Sequence, residues 1–148
     1  MSAFSEHYYT APDGIRTYYR HYPAQGAREK LPVICIHGLT RNSKDFEDLA
    51  PEIAAMGRTV VAVDVRGRGQ SDRDPNPENY VVPTYVADMA GLIDDLGWTR
   101  LVSVGTSMGG LITMALAAHR AGLFEGVVLN DIGPELDPKG LTRIQTYV

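Results

Sequence analysis

The chain has 148 residues, with 14 Lys and Arg against 18 Asp and Glu, four His, one Cys and a formal net charge of −4. That length suits one domain with a buried core, the mild acidity speaks against a nucleic-acid surface, and a lone cysteine excludes an internal disulfide. No apolar run approaches the ~18–20 residues of a membrane helix, and residues 1–7 lack the basic start and apolar stretch of a secretory signal, so the expected compartment is the cytoplasm.

In chain order, residues 6–10 and 15–22 are rich in strand formers and flank Pro12-Asp13-Gly14. Proline presets φ and glycine supplies positive φ, so the pair reads as an antiparallel hairpin. A polar linker over 23–30 follows. Residues 32–36 form a continuous apolar run, as a strand buried on both faces requires. Residues 59–63, 101–104 and 126–129 repeat that pattern.

Helical spacing separates these runs. Phe46, Leu49, Ile53 and Met56 recur after the N-capping residues Asn42 and Ser43. Pro51 interrupts the stripe and predicts two short helices. Tyr85, Met89, Leu92, Ile93 and Leu96 form a second stripe, with Pro83 near its start and Gly97 past its end. Residues 111–119 form a third. Leu141, Ile144, Tyr147 and Val148 predict a further helix running to the chain end. Alternating strands and helices give a parallel sheet covered on both faces, with chemistry at the carboxyl ends of its strands.

Those ends carry His37-Gly38-Leu39-Thr40, then Asp64-Val65-Arg66-Gly67-Arg68-Gly69-Gln70-Ser71, then Gly105-Thr106-Ser107-Met108-Gly109-Gly110, then Asn130-Asp131. The third has the form G-x-S-x-G between a buried strand and an Ala-rich helix. A sharp strand-to-helix turn strains its central residue, and the flanking glycines let neighbouring backbones approach. The serine hydroxyl then projects above the sheet, in front of a helix N-terminus that favours developing negative charge.

On these residues the chain resembles the α/β-hydrolase superfamily. His37-Gly38 is similar to the oxyanion-loop signature, and Asp64 to Ser71 is similar to the D-x-R-G-x-G-x-S turn. The resemblance implies an α/β-hydrolase fold: a mostly parallel sheet, an N-terminal antiparallel hairpin and helices on both faces. It implies Ser107 as nucleophile, with the Leu39 and Met108 amides as oxyanion hole. His37, Gly38, Gly105 and Gly109 would shape the site, and Asp64 and Arg66 would brace its loops. His37 would not be the base.

A serine nucleophile needs a base and an orienting acid, in the order serine, acid, histidine. After Ser107 the chain has only His119, twelve residues along a helix, or about 18 Å. That is beyond reach of the hydroxyl. Asp131, at a strand end, is the acid candidate, set against a loop-capping role. Residues 1–148 are therefore expected to be a single domain cut at its C-terminus, without the final strands and cap, inactive alone, and leaving 126–129 as an unpaired edge.

The implied chemistry is cleavage of an ester, lactone or related carbonyl compound. Serine at the elbow argues against dehalogenases and epoxide hydrolases, whose covalent step uses a carboxylate. Carbon–carbon-bond hydrolases and cofactor-free haloperoxidases stay open. Alternatives are a non-catalytic binding module and one half of a split enzyme. The histidine spacings and glycine patterns match neither a metal site nor a nucleotide loop, so no cofactor is expected. The partner is a small-molecule substrate, with no nucleic acid and no membrane. A homo-oligomer and a complementing C-terminal segment both stay open. Cys35 reads as a buried hydrophobe. Asp94-Asp95 and Asp45, Glu47 and Asp48 read as solvated charge, and Arg41 as a residue that could face substrate.

Overall fold

In the computed structural model, residues 3–26, 29–130 and 144–147 are described. Seven strands form one sheet: β1 Ser5–Thr10, β2 Arg16–Tyr22, β3 Lys30–Ile36, β4 Arg58–Val63, β5 Leu101–Thr106, β6 Phe124–Asn130 and β7 Ile144–Tyr147, in spatial order β1-β2-β4-β3-β5-β6-β7. Strands β3, β4, β5 and β6 are parallel, and the β1–β2 hairpin joins β4 antiparallel. The helices are α1 Leu49–Ala55, α2 Val82–Asp95 and α3 Met108–His119.

The two-residue period of the central strands sorts their side chains between two cores. Ile34, Ile36, Val61 and Val63 pack with Met89, Leu92 and Ile93 of α2 and Ile112 and Leu116 of α3. Val33, Cys35, Val60 and Ala62 pack on the other face with Phe46 and with Ala50 and Ala54 of α1. Both faces are thus covered, which is why these strands read as unbroken apolar runs. Burial pushes the Cys35 thiol up to about 12, so it is an inert core group.

The break expected at Pro51 falls earlier. A 3-10 turn, Ser43–Phe46, is capped by Asn42, whose side chain accepts the Lys44 N–H at 2.9 Å. Helix α1 then starts at Leu49 and takes Pro51 into its first turn, where no intrahelical N–H bond is needed.

The C-terminal expectation is corrected. Ile144 and Tyr147 lie in strand β7, not a helix, and β7 runs antiparallel along β6 with Val127 opposite Tyr147 and Asn130 opposite Ile144. The segment Ile-Gln-Thr-Tyr is rich in β-branched and aromatic residues, and β6 presents a row of backbone groups to pair. That pairing outweighs a short helical spacing. Residues 126–129 are therefore not an open edge. Leu141, Val148 and Asp131 lie outside the described residues.

Candidate active site

The loop after β3 begins at His37, which is fully buried. The Val65 N–H donates to His37 Nε2 at 2.9 Å, so that nitrogen carries no proton. The proton is then on Nδ1, which donates to the Gly38 carbonyl at 2.6 Å. Burial holds the imidazole below its ordinary pKa and so keeps it neutral. The Arg41 N–H donates to the same carbonyl at 3.1 Å. In a trans peptide the carbonyl and the next N–H point opposite ways. Two bonds to the Gly38 carbonyl therefore turn the Leu39 N–H outward. His37 has both ring nitrogens engaged in this bracing.

The turn after β4 is saturated with internal bonds. Asp64 accepts the Ser43 N–H at 2.7 Å and the Gln70 N–H at 2.8 Å. The Ser71 hydroxyl donates to the Asp64 carbonyl and accepts the Tyr18 N–H. A Cβ on Gly69 would collide with the Asp64 carboxylate. Arg66 is 2% exposed and donates to Asp88 through two nitrogens at 2.9 and 2.7 Å, to Asp74 at 2.8 Å and to Asp13 at 2.7 Å. Its fork ties the hairpin turn, the post-β4 loop and α2 together. The bond to Arg66 holds the Asp13 carboxyl below its ordinary range, whereas burial pushes that of Asp88 up.

The turn after β5 behaves differently. Ser107 has φ +53° and ψ −111°, the single positive φ outside glycine among the described residues. Such a conformation costs about 1–3 kcal/mol. The Ser107 N–H donates to the Asn130 carbonyl at 3.0 Å, and its carbonyl accepts the Gly110 N–H at 2.9 Å. A Cβ on Gly105 would stand 2.7 Å from the Gly109 carbonyl group, and one on Gly109 would collide with the Ile36 carbonyl. These close approaches press the start of α3 onto the ends of β3 and β5, and they require glycine at both positions. A Cβ on Gly38 would lie 3.6 Å from Ser107 Cβ, so the loop after β3 and the turn after β5 meet.

Ser107 is exposed, and its hydroxyl makes no hydrogen bond among the described residues. The Leu39 and Met108 N–H groups likewise donate none among the described residues. Ser107 opens into a cavity of about 720 Å³ lined by Leu39, Arg68, Tyr80, Val81, Val82, Tyr85, Met108 and Leu111. Its walls are largely apolar, and Leu39, Val81 and Leu111 are exposed at it. Asn130, just before Asp131, ends β6 beside the elbow.

The sequence profile of the alpha/beta hydrolase fold family matches residues 32–147. The chain belongs to the α/β-hydrolase family. It is 43% identical over 116 residues to a 3-hydroxybutyrate-oligomer hydrolase of Cupriavidus necator, a match covering 78% of this chain and 39% of that protein. It is 33% identical over 97 residues to epoxide hydrolase 4 of Mus musculus, covering 66% of this chain and 27% of that one. A solved α/β hydrolase from Novosphingobium aromaticivorans superposes with a TM-score of 0.83 at 42% identity, covering 95% of this chain and 48% of its own. The chain thus spans less than half of the length of each of these α/β-hydrolase relatives.

Of the residues singled out in the sequence, the structure brings His37, Gly38, Leu39, Gly105, Ser107, Met108 and Gly109 together around one point. It separates His119, at the far end of α3. Arg41 is engaged by Asp45 at 2.7 Å instead of facing the cavity, and Asp94 by Arg120 at 2.7 Å. Sequence reasoning missed Asp88, although a signal was present: Asp88 lies three residues after Tyr85 and four before Leu92, on the apolar stripe itself. It also missed the cavity wall of Tyr80 to Val82, which has no motif. No helix among the described residues is long and apolar enough to cross a membrane.

Proposed function

We propose that this chain supplies the nucleophile and oxyanion hole of a serine hydrolase acting on an ester, lactone or related carbonyl substrate. The observation that carries the reading is Ser107 itself: exposed, at positive φ, at the N-terminus of α3 and on the wall of an apolar cavity. Ser107 Oγ attacks the carbonyl carbon while a histidine takes its proton, and the carbonyl oxygen becomes the tetrahedral oxyanion. The outward Leu39 N–H and the Met108 N–H at the helix start receive that charge, and each such donor is worth about 3–4 kcal/mol in comparable sites. Collapse expels the leaving group, which takes the proton back. Water then attacks the acyl-enzyme carbonyl and frees the acid and Ser107.

The base, in this reading, is a histidine outside these 148 residues, and Asp131 is the candidate acid. The coverage of the relatives, 39% and 48% of their own lengths, leaves room for that histidine. The similarity to a 3-hydroxybutyrate-oligomer hydrolase favours a short oligoester as substrate. The similarity to an epoxide hydrolase is weighed against the residue at the elbow, where Ser107 offers a hydroxyl and no carboxylate.

The test is labelling of the full-length gene product with a fluorophosphonate probe. Labelling is expected in the wild type and absent in Ser107→Ala, with an unchanged melting temperature. Labelling that survives the substitution, or a folded wild type that takes no label, overturns the reading, and the second outcome favours a binding module.

A further inference from the structure

The cavity wall holds one charge among the described residues that line it, and that charge is Arg68. Arg68 is half-buried. Its Nε–H donates to the Leu39 carbonyl at 3.1 Å and one terminal nitrogen to the Arg66 carbonyl at 2.9 Å. The other terminal nitrogen lies 3.9 Å from Met108 Sδ, and the guanidinium carbon sits 4.9 Å over the Tyr85 ring. The head group is therefore fixed by four neighbours, none of which neutralises it. Arg16, Arg20, Arg41, Arg66, Arg100 and Arg120 each hold a carboxylate. Arg68 holds none among the described residues, as is true of Arg58 and Arg73, but of these three it alone lines the cavity.

A guanidinium has five N–H donors in a rigid fork. Two neutral carbonyls and a thioether leave donors over, on a cation whose charge is partly removed from water. Such a group gains most from a carboxylate placed in the same cavity. The residues beside it, Leu39 and Met108, are the two whose amides flank Ser107. An anion on Arg68 would thus stand a short span from the carbonyl under attack.

We propose that Arg68 determines specificity: it receives the carboxylate of an ester substrate that carries a free acid group on the acyl or alcohol side. The cavity would then take acid-terminated oligoesters and half-esters in preference to neutral esters of the same length. This inference rests on Ser107 as the nucleophile for its kinetic part, and on the cavity alone for its binding part.

The test therefore has two arms on the full-length protein. In the first, mono-4-nitrophenyl glutarate and the neutral 4-nitrophenyl valerate are compared in wild type, Arg68→Lys and Arg68→Gln. The expected result is a preference for the glutarate half-ester in kcat/KM. Arg68→Gln should cut that preference at least tenfold, mainly through KM, and Arg68→Lys should restore part of it. If Arg68 merely props the Leu39 loop, both substrates lose the same factor in kcat, and the proposal falls. In the second arm, calorimetry on Ser107→Ala compares 4-phenylbutyrate with 4-phenylbutyramide. Tighter binding of the carboxylate, lost on adding Arg68→Gln, supports the proposal even where no turnover is seen. Equal binding of acid and amide overturns it. Absent labelling with intact carboxylate binding would remove the Ser107 reading and leave the anion site standing.

Discussion

The turns after β4 and β5 are both tight and glycine-rich, yet they end in opposite states. After β4, Asp64, Arg66 and Ser71 are buried and each is bonded within the protein. After β5, Ser107 is exposed, its hydroxyl has no partner among the described residues, and its backbone is strained. A turn whose buried polar groups are all satisfied is a scaffold. A turn that leaves a hydroxyl and two amides open, and holds strain while doing so, has the features the proposed chemistry needs. The second depends on the first, because the Val65 N–H fixes the tautomer of His37, and His37 sets the Gly38–Leu39 peptide.

The largest expected blow to this arrangement is Arg66→Met. It leaves Asp88 and Asp74 buried without their shared cation. Breaking a buried ion pair costs about 3–5 kcal/mol. Urea unfolding of the full-length variant should show that loss. A change under 1 kcal/mol would mean the post-β4 cluster is no scaffold.

Next comes Gly109→Ala, which acts on the elbow alone. The new Cβ meets the Ile36 carbonyl, so α3 must shift. Overpacking of this kind costs about 1–3 kcal/mol, and a 1 Å displacement of the Met108 amide would cut kcat on the order of 10²-fold. Fluorophosphonate labelling rates should therefore fall far more than the melting temperature does. Parallel losses in both would erase the distinction between the two turns.

The finest probe is pH, acting on the link between them. Burial lowers the folded pKa of His37 below its unfolded value near 6.5. Its contribution to stability is complete above that unfolded value and is lost as pH falls from there through the folded pKa. His21 is also lowered by burial, so the measurement must be a difference. Stability of the wild type minus that of His37→Gln should shrink as pH falls below about 6.5. A difference independent of pH from 7 to 5 would show that the imidazole is not held neutral.

The sequence displayed the scaffold well, because period-two burial and helical spacing are local patterns. Residues 32–36, 59–63 and 101–104 are strands for the reason they read as strands: both faces are covered. The elbow was legible because Gly105, Ser107 and Gly109 stand at a fixed short spacing, with Gly105 required by Gly109 four residues on, although Gly109 itself is required by Ile36 far away in the chain. Partners distant in the chain were not. Asp13 and Asp88 reach Arg66 across 53 and 22 residues. Arg68 shares a glycine-flanked motif with Arg66, but only the fold puts one in the core and the other on a cavity wall. Ile144 to Tyr147 became a strand because β6 was there to receive it, a fact no helical stripe contains.

The register of the sheet carries one more consequence. Ile36 pairs with Gly105 across β3 and β5, so the two strands hand over their loops at the same height. The sheet therefore acts as a ruler for the distance between the Leu39 amide and the serine. A slip of one residue would also turn every core side chain to the wrong face, so the folded sheet tolerates only one setting of that ruler. Substitutions deep in β3 or β5, at positions such as Val33 or Leu101 that no substrate touches, can thus detune the site while the molecule keeps its shape.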